Sequence, residues 1–191
     1  MDAYRTVLFF HLLSLFLGFG AAAILGLSLF RLRAASTGSD ALPWSALAGK
    51  TERVFPVSIV GLFITGAYMT SDSWTWSTGW IDVAIVALIV IAAQGVLIAG
   101  RRAKSLEQML GANGSGPLSS DARKMTCDRA LWIVSFANPG IVLGVVWTMT
   151  QKPGMAGAIV AVVIGYSLGT LTALQFARPA PEEAGAVAAA R

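Results

Sequence analysis

Residues 6–30 read TVLFFHLLSLFLGFGAAAILGLSLF, a run of 25 residues that contains no Asp, Glu, Lys or Arg. A helix needs about 20 mostly apolar residues to cross about 30 Å of hydrocarbon. Ala21-Ala22-Ala23 resembles a signal-peptide cleavage site, but the apolar run continues past it to Arg31 and is too long for a signal core. The stretch therefore predicts a first transmembrane helix.

The composition of the whole chain agrees with this interpretation. Hydrophobic residues make up 55 % of the 191 residues and charged residues 13 %, whereas soluble domains carry about 25 % charged residues. These values exclude a soluble globule, a disordered chain and a collagen-like fibre. The long apolar runs show no alternation of apolar and polar residues, so they are typical of helices and not of barrel strands.

The uncharged runs predict an all-α, polytopic bundle of five transmembrane helices. We expect them near residues 6–30, 54–71, 81–100, 130–150 and 154–177, within a single bundle over residues 1–178. We expect Asp40 to cap a helical turn ahead of the second span. The sequence GANGSGP at 111–117 predicts a flexible linker, and the Pro-, Glu- and Ala-rich residues 179–191 predict a disordered cytoplasmic tail.

The basic residues predict the orientation. With five spans, 12 of the 14 Lys and Arg residues fall on one side of the membrane. Basic residues stay in the cytoplasm, so we expect the N-terminus outside and the C-terminus inside. This asymmetry and contacts with anionic lipid account for the net charge of +4, and we expect no nucleic-acid partner.

Small residues recur at helical spacing in three of the predicted spans. Such stripes let helices approach closely in lipid. They predict packing within one bundle, a homodimer, or a place in a larger membrane complex. The stripes are Gly18, Ala22 and Gly26; Gly140, Gly144 and Thr148; and Ala161, Gly165, Gly169 and Ala173.

The lone histidine, His11, is the first candidate for a binding site. At 100° per residue it shares one helix face with Ser14, and an ionisable group inside a membrane is a functional candidate. Asp82 lies at a similar predicted depth, where a carboxylate would orient the imidazole. The alternatives are a structural hydrogen bond for His11 and a helix-dipole contact for Asp82. Asn138 precedes Pro139, so this pair predicts a kinked helix, with or without a small polar cavity.

Three methionines are expected at the same end as His11. Met69 and Met149 end predicted spans there, and Met155 begins one. Imidazole and thioether ligands suit Cu(I), so His11, Met69, Met149 and Met155 are candidate metal ligands; packing is the alternative role for the methionines. One histidine excludes a two-haem cytochrome with four histidine ligands but leaves a single His/Met haem open.

One stretch resembles the membrane domain of copper-resistance D proteins and related bacterial integral membrane proteins. The resemblance covers about half of the chain and implies a small bundle in a bacterial inner membrane that handles copper. It rests on Arg53-Val54-Phe55 opening a span, Thr65-Gly66 near its end, the loop from Trp74 to Trp80, Arg101-Arg102 closing the next span, and His11-Leu12-Leu13 in the first span.

Three functions follow as hypotheses. The first is binding or transport of a metal ion or small solute from the outer face. The second is a non-catalytic accessory subunit of a larger membrane complex, and the third is a haem-bearing redox protein. The sequence carries no nucleophile–histidine–acid motif and no phosphate loop, so we expect no enzymatic activity.

Overall fold

The computed structural model describes residues 3–177, apart from the side chain of Asn113. The predicted tail at 179–191 lies outside the described residues. Within them the all-α class is confirmed, and the only β feature there is an isolated bridge between Thr37 and Pro117. The elements are α1 (Ala3–Ala34), α2 (Gly38–Glu52), α3 (Val54–Ser73), α4 (Gly79–Gln94), a π-helical segment (Gly95–Gly100), α5 (Arg101–Asn113), α6 (Ser120–Thr126), α7 (Arg129–Gln151) and α8 (Met155–Phe176).

Five helical segments among residues 3–177 are long and apolar enough to cross a membrane. This confirms the predicted number of spans and describes a multi-pass membrane protein. The first four extend past their predicted bounds. α1 itself is longer than predicted, and amphipathic or polar helices continue the next three: α2 leads into α3, α5 follows α4 and the π-helical segment, and α6 leads into α7. The segments are Ala3–Ala34, Gly38–Ser73, Gly79–Ala112, Ser120–Gln151 and Met155–Phe176.

The chain order gives the bundle two distinct ends. We call the end with residues 74–78 and the turn at 152–154 the tryptophan end. The opposite end, with residues 35–37, 114–119 and 127–128, is the basic end because Arg33, Arg102 and Arg123 lie there. At the basic end Arg123 donates to the carbonyls of Arg33 and Ala35, 3.1 and 2.6 Å away, and so supplies donors to the last turn of α1.

The cap of α2 differs from the prediction. Thr37 is the N-cap, and its hydroxyl oxygen accepts from the backbone N–H of Asp40 at 3.2 Å. Asp40 lies in the first helical turn, where its carboxylate accepts from the Thr37 hydroxyl at 2.7 Å. Both residue types favour helix starts, but the chain leaves its extended conformation at Thr37, so the threonine is in the capping position.

The stretch predicted as a flexible linker is tied to the start of α2. α5 continues through Asn113 and ends at Gly114, which has a φ of +59°. The N–H of Gly38 then donates to the Gly116 carbonyl at 2.9 Å, and the N–H of Leu118 donates to the Ser36 carbonyl at 3.1 Å. These backbone bonds hold the connection against α2.

The predicted small-residue stripes on α7 and α8 pack against each other within the chain. A Cβ added at Gly144 would lie 2.7 Å from the Ala161 carbonyl oxygen, and Gly140 and Gly165 meet backbone to backbone. On α1 the stripe is used only in part. Gly18 faces Ser58 on α3, whereas a Cβ at Gly26 would meet no atom within 4 Å.

An aromatic cluster closes the bundle at the basic end. Trp132 is fully buried, stacks on Phe136 with ring centroids 5.9 Å apart, and meets Phe30 edge-on. Its indole N–H donates to the Thr126 carbonyl at 2.9 Å, which satisfies the ring's only donor. The cluster fixes the start of α7 against the end of α1.

The helices fall into two packed groups. α3 packs against α1, while α4 packs against α7 and α8; α3 meets α4 only sparsely. The space between the two groups holds two cavities, one toward each end of the bundle.

Candidate functional site

The cavity at the tryptophan end has a volume of about 370 Å³, within the range of small-molecule sites. We call it the aromatic cavity because Trp74, Trp76 and Trp80 line it. Tryptophan side chains at this position suit either an interfacial anchor or a lid, and lining is compatible with either role. α1, α3, α4 and α7 all contribute to the walls, so the cavity depends on how both helix groups pack.

His11 lines the aromatic cavity and is 5 % exposed. Its Nδ1 lies 2.9 Å from the hydroxyl oxygen of Thr65 on α3. That hydroxyl donates its single proton to the Gly61 carbonyl, 2.5 Å away. The Leu62 carbonyl, 3.4 Å from the same hydroxyl, is a second acceptor near the ring.

These partners favour one tautomer of the neutral imidazole. When the Thr65 hydroxyl gives its proton to the Gly61 carbonyl, Nδ1 is the donor in its contact with Thr65. The Nε2 lone pair is then the only acceptor of the ring. His11 therefore combines the structural contact to a neighbouring helix with a nitrogen able to bind a proton donor or a metal ion.

Two of the three candidate methionine ligands line the same cavity as His11. Met69 from α3 and Met149 from α7 are among its walls. Met155 is not: its side chain is 51 % exposed and packs beside Gly79, where an added Cβ would lie 2.8 Å from the Met155 Cβ. The structure thus places one imidazole and two thioethers, from three helices, in the wall of one cavity.

Asp82 and Ser14 do not line the aromatic cavity. Asp82 lies in the first turn of α4, and its N–H donates to the Thr78 carbonyl at 3.2 Å. Nδ1 of His11 contacts Thr65 instead. The Ser14 hydroxyl donates to the Phe10 carbonyl at 2.9 Å, on the face that packs against α3. Equal predicted depth did not place Asp82 beside the imidazole, because depth says nothing about the direction around the helix axis.

Lys152 also lines the aromatic cavity and was not predicted as a site residue. It ends α7 in the left-handed conformation, with a φ of +50°. Its ammonium nitrogen lies 4.6 Å from the centroid of the Trp74 ring, which in turn meets Trp80 edge-on at 5.4 Å. A cation over an indole face is attracted by the ring quadrupole, so this contact holds a positive charge at the cavity wall.

The second cavity lies toward the basic end and has a volume of about 550 Å³. We call it the central cavity. Asn138 lines it, next to Pro139. A cavity is therefore present beside this proline, but its wall is mostly apolar and not polar as in the first of the two predicted alternatives. Glu52 also lines it and was not predicted; a carboxylate placed two residues before an apolar run was the available signal.

The two cavities share part of their walls. Five aliphatic side chains line both, and together we call them the collar. They come from α1, α3, α4 and α7. They are Leu15, Leu62, Leu88, Ile91 and Val142.

Metal-ligand chemistry limits what these cavities could bind. The described residues contain no group of three or more His, Cys, Asp or Glu side chains that could hold a metal ion. Hard divalent cations and structural zinc need such groups. A soft ion with thioether ligands does not, so the donor set in the aromatic cavity fits Cu(I) among the metal ions considered.

Comparison of the chain with protein-family models, curated proteins and solved structures finds no match. The resemblance to copper-resistance D proteins therefore stays a prediction.

Proposed function

We propose that the protein is a membrane-embedded binding module for a soft monovalent metal ion such as Cu(I). The ion enters the aromatic cavity from the outer face of a bacterial inner membrane, where the distribution of basic residues puts the tryptophan end. The observation that carries this proposal is that His11, Met69 and Met149, from three different helices, line one cavity.

The chemistry of these donors matches a soft ion. Nε2 of His11 and the two sulfur atoms are neutral ligands, which Cu(I) accepts readily. The Nδ1 contact with Thr65 provides the outer-shell hydrogen bond that orients metal-binding histidines and raises their basicity. Thr65→Val should therefore weaken binding about 10- to 100-fold, the usual range for such partners.

Lys152 sets the electrostatic cost of a bound cation. Its ammonium group lines the same cavity and is held against Trp74. A like charge at the wall weakens the binding of a metal cation. Lys152→Gln should consequently raise the affinity for Ag(I) about two- to fivefold. An unchanged affinity would show that the charge of this lysine does not affect the bound ion.

Binding of Ag(I), a redox-stable stand-in for Cu(I), tests the proposal. The protein should be purified in mild detergent with Cys127→Ser, because a free thiol also binds soft ions. We expect one Ag(I) per chain by calorimetry, at least tenfold weaker in His11→Ala and in Met149→Leu. Met155→Leu is the matched control, because it removes the same chemistry at the same end but outside the cavity.

Two results would count against the site. Undiminished Ag(I) binding by His11→Ala would show that the imidazole is not a ligand of the ion. Equal losses of Ag(I) affinity in Met155→Leu and Met149→Leu would show that thioethers outside the cavity bind the ion as well as those inside it.

Transport is a second candidate function, favoured by the collar shared between the cavities. A constriction of aliphatic side chains excludes water and acts as a gate. In proteoliposomes loaded with an Ag(I) chelator, we expect uptake by the wild type and a reduced rate in Val142→Phe, with Ag(I) binding retained. A wild type that binds Ag(I) but takes none up would restrict the function to binding.

A further inference from the structure

The central cavity presents buried hydrogen-bond acceptors that have no partner in the described part of the chain. Oε1 of Glu52 and Oδ1 of Asn138 are buried and have no hydrogen-bond partner among residues 3–177. Buried acceptors of this kind are costly unless something supplies a proton donor. Both residues line the cavity, so a small rotation of either side chain would turn its oxygen toward a donor inside it.

Apart from the NH₂ group of Asn138, the other polar side chains of the cavity are acceptors as well. The hydroxyls of Ser58 and Ser135 give their protons to the carbonyls of Ser14 and Leu131, at 2.7 and 2.8 Å. Each hydroxyl oxygen is left with lone pairs only. Pro139, also on the wall, has no N–H, so it cannot donate to the carbonyl one helical turn earlier.

The charge of the cavity has one source. Glu52 is the only ionisable side chain among the described residues that line it. The charged neighbour that acts on Glu52 is Glu107 of α5, which is also acidic and does not line the cavity. The rest of the wall is almost wholly apolar.

We propose that the central cavity binds an organic ammonium ion that has an apolar body. Its N–H groups would donate to Glu52 and Asn138, its charge would be matched by the carboxylate, and its body would fill the apolar remainder of the 550 Å³. The site is separate from the metal site of the aromatic cavity. It shares with that cavity only the aliphatic collar.

A pair of probes of similar shape tests this proposal. 1-Adamantylammonium carries the charge and the donors, and 1-adamantanol has the same apolar body without the charge. For the purified full-length chain we expect the ammonium probe to bind at least tenfold more tightly. Glu52→Gln should abolish that difference and leave the binding of the alcohol unchanged. Asn138→Leu should weaken ammonium binding at least threefold.

Two further variants locate the bound probe. Glu107→Gln removes the neighbouring carboxylate outside the cavity and should change ammonium affinity less than threefold. His11→Ala alters the aromatic cavity and should leave the ammonium affinity unchanged. Every variant should elute as a single species in size-exclusion chromatography, and retained Ag(I) binding by Glu52→Gln confirms that the metal site is intact.

Three outcomes would overturn the proposal. Equal affinity for the two probes would indicate a purely apolar cavity, as expected if a lipid acyl chain occupies it. An equal loss of ammonium affinity in Glu107→Gln and Glu52→Gln would indicate that the negative potential of both carboxylates, and not a contact with Glu52, attracts the probe. Loss of ammonium binding in His11→Ala would place the probe among the tryptophans. None of these outcomes bears on Ag(I) binding, so the two proposals fail independently.

Discussion

Gly144→Ala tests the close contact between α7 and α8. The new Cβ would lie 2.7 Å from the Ala161 carbonyl oxygen and 2.8 Å from the Val162 Cα, whereas ordinary contacts begin at 3.4 Å. Backbone atoms cannot swing aside, so the helices must separate by about 0.7 Å. A gap of 0.5–1 Å forfeits about a quarter to a half of each contact's 0.1–0.2 kcal/mol.

Several tens of contacts lie along a helix pair of this length, so the separation costs about 1–3 kcal/mol. The higher helix propensity of alanine returns up to about 1 kcal/mol. We therefore expect a net loss of about 0–3 kcal/mol in the free energy of unfolding, and a loss of about 1–3 kcal/mol relative to a glycine-to-alanine change that meets no neighbour. Titration with SDS of the protein in bicelles measures this quantity directly.

Gly26→Ala is the matched control. The added Cβ there would meet no atom within 4 Å, so only helix propensity changes and we expect equal or slightly higher stability. If Gly144→Ala unfolds at the same SDS concentration as Gly26→Ala, α7 and α8 do not depend on backbone contact at this position.

Two other predictions concern the basic end and the orientation. Trp132→Phe removes the indole donor to the Thr126 carbonyl and should lower the free energy of unfolding by about 1–3 kcal/mol in the same titration; an unchanged midpoint would show that this carbonyl needs no donor. In a Cys127→Ser background, cysteine at the exposed Ser73 should react with a membrane-impermeant maleimide in intact cells, and cysteine at Ser115 only after permeabilisation. The reverse labelling pattern would invert the predicted orientation.

The five spans could be predicted because lipid demands long uncharged runs, and such runs are visible in a single sequence. Their extensions were less visible. α5 is amphipathic and polar on average, so its sequence resembles that of a loop. Its buried residues, Leu106 and Leu110, show that it is a helix packed on the rest of the bundle, and α5 packs against α2. The cap of α2 was assigned to Asp40 instead of Thr37, because several residues suited to helix starts stand close together and only the backbone chooses among them.

The candidate site could be predicted only in one dimension. Sequence position gives the depth of each residue, and depth correctly grouped His11, Met69 and Met149 at one end. It could not give the direction of each side chain around its helix axis. That direction, set by which helices pack together, leaves Asp82 and Met155 outside the cavity.

The π-helical segment at Gly95–Gly100 has a consequence for how this chain tolerates changes in length. A π turn holds one residue more than the α turn it replaces. Deleting a single residue there would let the helix continue as a regular α-helix. The helix after it would keep its orientation, so Leu106 and Leu110 would stay buried and Arg102 would stay beside Asp128, with which it forms an ion pair at 2.5 Å. A deletion in the regular part of α4, by contrast, would rotate everything after it by about 100° and shift it by about 1.5 Å. The π-helical segment is therefore a place where this span can lose one residue without changing the register of the basic end.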